Sequence, residues 1–312
     1  MRRLENLIED SREETENDEF TADAGIQDKE FIRYANDAQS RLQSKIFQKS
    51  QKVFISEYIF STVSRQESYE LPYDILFENA ISNVQFSSSP AGIDYYPLEQ
   101  STLKERNTIG YGEPSFYIRR SGKILLNPVP TGGGKKVRVS YVKRLPKMDT
   151  RRAKILTVTT SGSSITSLTL DTGSLLDSDA LLKESRFSVV NSDGNQLMRR
   201  ILYTDINSTT GVVTIDPSFL FESGETIAVG NYLVKGEDSC NKSELPFNLE
   251  RYLLAYMNWK ILKRDSSSDS AEAQGELIAM EDEIISSFGD VDDDIERIPI
   301  ISSRMLIDDE IV

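Results

Sequence analysis

The stretch Asn127–Val142, NPVPTGGGKKVRVSYV, decides the fold class of this chain. Three glycines followed by two lysines have the composition of a loop that cradles phosphate. Such a loop belongs to an α/β fold, because it must run into a helix whose first amides bind the anion. The spacing does not fit. A phosphate loop needs Gly-x-x-x-x-Gly-Lys and then Ser or Thr. With Gly134 and Lys135 as the Gly-Lys pair, the first glycine position falls on Val129 and the hydroxyl position on Lys136. The dinucleotide pattern fails in the same way, with its third glycine at Val137. The segment after the glycines, KVRVSYV, alternates and is rich in β-branched residues, so it reads as a strand. The stretch therefore predicts a hairpin loop in which glycine supplies positive φ angles, set in antiparallel β-structure.

On the upstream side, PSFYIRRSGKILLNPVP reads as a second hairpin turning across Arg120 to Gly122, with Phe116 and Ile118 in one arm and Ile124 and Leu126 in the other. On the downstream side, Val137, Val139 and Tyr141 point to a core, and Lys136, Arg138 and Arg144 to the other face. Residues 135–154 hold nine basic residues and one acid, Asp149. They read either as a solvated strand face and linker or as a positive band facing an acidic neighbour. Lys135, Lys136, Arg138 and Arg144 are the candidate neighbour-facing residues.

Further out the periodicity changes. Residues Gln27 to Lys49 repeat apolar positions at Phe31, Ala35, Ala38, Leu42 and Ile46, which predicts an amphipathic helix. Arg41, Lys45, Lys49 and Lys52 form a basic stripe on a neighbouring face, a candidate for docking on an acidic partner. VFISEYIFSTV, SYELPYDIL and ENAISNVQFSS read as strands. Residues 147–244 are Thr- and Ser-rich, alternate, and carry turn signals at Ser192-Asp193-Gly194 and Ser208 to Gly211, which predicts a small β-barrel or sandwich. The chain then returns to helix. A segment opening at Pro246 has Leu249, Leu253, Leu254, Tyr256, Met257, Trp259, Ile261 and Leu262 around most of its circumference, so it is buried in a core or a subunit interface. A following helix, with Asp269 to Glu272 as a capping box, carries Ala273, Leu277, Met280, Ile284 and Phe288 on one face. Tyr256, Trp259 and the terminal Ile300 and Ile301 join Arg41, Lys45 and Lys49 as candidates for docking on a neighbouring chain. The two ends are acidic. Residues 1–24 predict a mobile arm, or one ordered only by a partner, and their pattern allows a short helix around Leu4 to Ile8. Asp290, Asp292 and Asp294 match the start of a calcium loop, but Ile295 and Ile301 stand where that loop needs Gly and Glu.

Composition narrows the chemistry. The net charge is −14, which argues against a general duplex-DNA binder. There is no histidine, so Ser-His-Asp and Cys-His catalysis and histidine-ligated zinc are excluded. The single cysteine, Cys240, can make neither an intramolecular disulfide nor a thiolate zinc site. No apolar run has the length of a membrane span, and the N-terminus lacks the apolar stretch of a signal peptide. The expectation is a soluble chain of a reducing compartment with no metal, no cofactor and few options for side-chain catalysis.

The order of elements resembles the head-to-tail adaptor proteins of tailed bacteriophages, also called connector, neck or tail tubular proteins. The resemblance rests on Tyr-x-Leu-Pro-x-Asp at Tyr69 to Asp74, Gly-x-Pro at Gly112 to Pro114, Leu-x-Pro-x-Pro at Leu126 to Pro130, and the helix after Leu245-Pro246. It covers residues 27–146 and 245–288. It implies an α+β fold, a helical bundle of one N-terminal and two C-terminal helices with an antiparallel β part; this sequence departs from the family in one respect, the small all-β domain inserted at residues 147–244. The implied organisation is an acidic mobile arm (1–24), an adaptor core (25–146 and 245–289), the inserted domain (147–244) and an acidic tail (290–312). The family implies a ring, most often of twelve copies, bound beneath the portal, extending the DNA exit channel and offering a platform to the next tail or nozzle protein. Its partners would be other copies of itself, the portal, that tail protein, and genomic DNA passing without sequence-specific binding. It would be a virion protein assembled in the host cytoplasm, with no membrane anchor. The rival readings are a carboxylate-only glycoside hydrolase and a glycan-binding or adhesion module carried by the β insert. The single tryptophan speaks against a sugar cleft.

Overall fold

The computed structural model describes residues 2–15, 27–50, 53–77, 80–102, 110–162, 164–171, 186–207, 209–219, 227–246, 249–265 and 267–288. Along the chain run α1 (Leu4–Glu14), α2 (Asp28–Lys49), β1 (Ile55–Ser61), β2 (Ser68–Glu70), β3 (Ile81–Ser87), β4 (Tyr96–Pro97), β5 (Glu99–Gln100), β6 (Tyr111–Gly112), β7 (Phe116–Arg120), β8 (Lys123–Asn127), β9 (Val129–Pro130) and β10 (Lys136–Val142). They continue with β11 (Lys147–Met148), β12 (Ala153–Ser161), β13 (Ser164–Leu170), β14 (Arg186–Val190), β15 (Gln196–Asn207), β16 (Val212–Ile215), β17 (Tyr232–Lys235), β18 (Ser239–Cys240), α3 (Glu250–Arg264) and α4 (Ser270–Ser287). The fold is mixed α+β. It divides into two units, Met1–Gln43 with Leu145–Ile284, and Ser44–Arg144 with Ile285–Val312.

In the second unit, two four-stranded sheets, β1-β10-β3-β4 and β2-β8-β7-β5, contribute to one core. Val137, Val139 and Tyr141 of β10 meet Val84 and Phe86 of β3, Tyr117 of β7 and Ile124 and Leu126 of β8 there. Alternation along each strand sends these side chains to one face. The β7–β8 hairpin closes through Ser121 and Gly122, both at positive φ (46° and 75°), the conformation of a two-residue turn that matches strand twist.

The glycine loop is not a hairpin tip. Strand β10 pairs with β1 and β3, and not with β8, so the loop carries the chain from one sheet to the other. Of its three glycines, Gly134 is at positive φ, 81°. The loop is held against the segment after β1. Gly134 donates its N–H to Thr62 O at 2.7 Å, Ser64 Oγ donates to Thr131 O at 2.7 Å, and Arg65 donates its N–H to Pro130 O at 2.8 Å. Gly133 lies along the same segment, where a Cβ would stand in ordinary van der Waals contact, 3.5 Å from the Ser64 N and Thr62 O. The β-structure is also not wholly antiparallel, since β5/β7, β6/β9 and β11/β18 are parallel pairs.

In the first unit, six strands close into a barrel in the order β12-β13-β16-β15-β14-β17. Closure leaves no free edge. Ile155, Leu168, Phe187, Val189, Met198, Ile201, Val213 and Leu233 fill its interior. The two turn signals in the sequence form turns built on asparagine. Asn191 Oδ1 accepts the N–H of Asp193 and of Asn195, and Asn207 Oδ1 accepts the N–H of Thr209 and of Thr210.

Among the described residues there are two N-terminal helices, where one was expected, and two C-terminal ones. The extra helix, α1, lies in the segment read as a mobile arm. Its Leu4, Leu7 and Ile8 are buried, and it packs on α3. Acidic composition hid a short apolar stripe at three- and four-residue spacing. The rest of that arm, 16–26, lies outside the described residues. Helix α3 is buried around most of its girth, at Tyr252, Leu253, Tyr256, Met257, Trp259 and Ile261, as its composition predicted.

Candidate interaction surfaces

The four basic candidates of the glycine loop and β10 do not share one face. Lys135 Nζ bonds Glu113 Oε1 at 2.7 Å and sits 5.8 Å from the centre of the Phe86 ring, on the core side. Lys136 and Arg138 lie on the opposite face. Lys136 Nζ donates to Ser61 Oγ at 2.9 Å. The Arg138 guanidinium lies 4.0 Å from the Tyr95 ring centre and 3.8 Å from Glu57 Oε2. Arg144 is exposed beyond the end of β10, with its N–H given to Asp74 O at 2.6 Å.

The short motifs turn out to be joints of the same unit. Tyr69 stacks on Phe60 at 4.8 Å, and its hydroxyl is bonded to the 63–66 turn, accepting from Val63 N–H and contacting Val63 O and Gln66 O. Burial pushes its pKa up, against the backbone N–H of Val63. Buried Asp74 accepts the hydroxyl of Tyr141 at 2.8 Å. Gly112 packs beside Pro128, whose Cβ lies at ordinary contact distance, 3.6 Å, from where a Gly112 Cβ would stand.

In the helical part, Arg41 is not a free docking charge. Its guanidinium forks onto Glu281, Nε to Oε1 at 2.7 Å and Nη2 to Oε2 at 2.9 Å, and Tyr252 donates to Glu281 Oε1 at 2.6 Å. Glu281 is 1% exposed. Burial first, then the bond to Glu281, drives the Tyr252 hydroxyl far above the ordinary tyrosine value. Glu281 was missed in the sequence although its position marks it. It stands between Leu277 and Ile284 in the buried stripe of α4, an acid where the pattern calls for an apolar residue. Tyr256 and Trp259, 5% and 6% exposed, are packed on each other at 5.4 Å, so they shape α3 from within. Lys45 is half-buried and Lys49 exposed on α2. Ile300, Ile301, Asp290, Asp292 and Asp294 lie outside the described residues.

A second missed node anchors α1. Glu5 Oε1 accepts from the Arg151 N–H at 3.0 Å, from Arg151 Nε at 3.2 Å and from Asn241 Nδ2 at 2.9 Å. Burial pushes the Glu5 carboxyl up, but these donors together outweigh it and hold its pKa below the ordinary value. Asn241 also donates to Asp149 O at 3.0 Å, and Asp149 accepts from Arg152 and from the Lys235 N–H. Asp149, the one acid of the basic stretch, thus ties α1, the β11–β18 pair and the barrel together.

Charge is unevenly spread. Residues 44–144 carry 14 basic and 9 acidic residues, a net of +5 in a chain of −14, and residues 289–312 carry 2 basic and 8 acidic, a net of −6. Among the described residues, no three His, Cys, Asp or Glu side chains gather as a metal site, and no helix is long and apolar enough to cross a membrane.

The family model described as SU10 adaptor protein matches residues 2–161, just over half of the chain. The chain belongs to the SU10 adaptor protein family. It is therefore a structural adaptor of a bacteriophage and a component of the virion. The matched span takes in α1 and α2, all strands from β1 to β11, and β12. It includes the Tyr69–Asp74, Gly112–Pro114 and Leu126–Pro130 joints. The C-terminal helices, which the sequence resemblance also placed in the adaptor core, lie outside it. No curated protein matches this SU10 adaptor protein.

Proposed function

We propose that this chain is a ring-forming head-to-tail adaptor. In this reading about twelve copies dock beneath the portal, extend the DNA exit channel and present a platform to the next tail or nozzle protein. The family match over residues 2–161 is the observation that carries it. The charge pattern supports it. A basic middle segment inside an acidic chain lets copies attract one another while the bulk of the surface repels a passing polyanion. The helices α1 to α4 would pack as the bundle around the ring, and the barrel would face outward or reach a tail component.

The docking roles are proposed accordingly. Lys136, Arg138 and Arg144 face a neighbour or the channel, with Lys135 behind them. Lys45 and Lys49 meet an acidic partner, and Ile300 and Ile301 dock on a neighbouring subunit or the portal. Arg41, Tyr256 and Trp259 hold the helices that present that surface. Assembly would take place in the host cytoplasm. Neither the hydrolase nor the glycan-binding reading gains a supporting feature among the described residues.

The test is the mass and ring symmetry of the purified full chain, by sedimentation and negative-stain microscopy, with and without a portal ring. Twelve-fold rings on the portal are expected. A chain that stays monomeric and never joins a portal would overturn the adaptor reading.

A further inference from the structure

Among the described residues strand β1 pairs along one edge alone, and the charge and length of the chain's own C-terminal segment point to what meets the other. The β1–β10 register runs without a slip from Ile55↔Val142 to Ser61↔Lys136. It is bounded by Lys143 N–H donating to Phe54 O at 2.9 Å and Thr62 N–H donating to Lys135 O at 2.7 Å. Backbone groups alternate sides along an antiparallel strand. Phe54, Ser56, Tyr58, Phe60 and Thr62 therefore bond towards β10, and the N–H and C=O groups of Ile55, Glu57, Ile59 and Ser61 point away from it. β1 ends its sheet, and among the described residues no backbone group outside the β1–β10 ladder bonds these outward groups. The other sheet ends, β2, β4 and β5, are two or three residues long, whereas β1 has seven. Ile59 and the nearby Val63 are 48% and 54% exposed. A long, apolar, unpaired edge is a template for another strand.

The occupant is argued from the chain beyond α4. Residues 289–312 are 24 residues with a net charge of −6, and β1 belongs to the segment with a net charge of +5. Within them, IPIISSR, Ile298–Arg304, has the length of β1 and a β-branched run, flanked by Asp292 to Asp294 and Glu296 on one side and Asp308 to Glu310 on the other. Pro299 has no N–H and is tolerated only where that position faces outward. In a strand added to β1 this would set the register, with the backbone groups of Ile298, Ile300, Ser302 and Arg304 towards β1.

We propose that Ile298–Arg304 of one copy adds as a strand to the free edge of β1 in a neighbouring copy. The neighbour, rather than the same chain, follows from the reading of the protein as a repeated ring subunit, on which this inference rests. The contact would link each copy to the next, a head-to-tail contact that closes into a ring.

The experiment mixes two full-length chains. One carries Ser61→Cys; the other carries Ile298→Cys, Ile300→Cys or Ser302→Cys, each tested separately. Cys240 is buried and stays in place. Under mild oxidation a disulfide between the two chains is expected for at least one tail position. Adding Ile59→Pro to the first chain should cut its yield at least tenfold. That substitution removes an outward N–H and no β1–β10 bond, so far-UV circular dichroism should be unchanged. Glu57→Pro repeats the test should Ile59→Pro not fold. In the unmodified protein, the amides of Glu57, Ile59 and Ser61 should become protected from hydrogen exchange as concentration rises. No disulfide at any position, or a yield indifferent to the prolines, would each overturn the proposal. Portal association of the same full chain is measured separately. A chain that joins the portal but gives no intermolecular disulfide sinks the strand addition and leaves the adaptor reading standing.

Discussion

Arg41, Glu281 and Tyr252 show how one residue changes meaning once its surroundings are known. As a letter in a basic stripe, Arg41 reads as a docking charge; in the fold it neutralises an acid buried to 1% exposure. The pair is asymmetric, because the Arg41 side chain keeps 37% of its surface in water. Arg41→Met leaves Glu281 buried without its arginine and should cost about 3–5 kcal/mol in chemical denaturation. Glu281→Met lets the arginine swing to solvent and should cost about 1–2 kcal/mol. The double variant should return to within about 2 kcal/mol of the parent, since an apolar pair replaces a satisfied ionic one. Costs that merely add would show that the two side chains are not coupled. The position of Glu281 in an apolar stripe was readable in advance; its partner was not, because 240 residues separate them.

The elements divide into those whose pattern is local and those whose partners are distant. The β7–β8 hairpin, α2, α3 and the short strands of the barrel follow from alternation, helical periodicity and turn residues over a few positions. The pairing of β10 with β1 and β3 does not, because loop closure over tens of residues leaves no local trace. For that reason the glycine loop reads as a hairpin in the sequence and joins two sheets in the fold. The barrel interior gives the clearest test at this scale. Phe187→Ala should cost about 3–5 kcal/mol, from lost burial and the cavity left behind. Thr159→Ala, on the exposed face of β12, should stay within about 0.5 kcal/mol. Equal effects would mean that Phe187 does not carry the barrel core.

For the whole molecule the decisive composition is acid-rich and histidine-free. With no side chain of ordinary pKa near 6.5, thermal stability should be flat between roughly pH 6 and pH 8, within about 2–3 °C by calorimetry. Below that plateau it should fall. Glu5 has a folded pKa below its ordinary 4.5, so its contribution is fully present above 4.5 and is lost as the pH drops through the folded value. Glu5→Gln should flatten that acid limb, and a slope unchanged by the substitution would remove Glu5 from the account. The sequence alone determined the mixed α+β class, the amphipathic helices, the all-β stretch and the exclusion of phosphate-loop and histidine chemistry. Each of these depends on spacing, alternation or residue type within a short window. Only the tertiary structure decided that the glycine loop joins two sheets, that α1 is anchored through Glu5, that Arg41 serves Glu281, and that among the described residues β1 pairs along one edge alone. Those facts depend on contacts between residues far apart in the chain, whose energies no local pattern records.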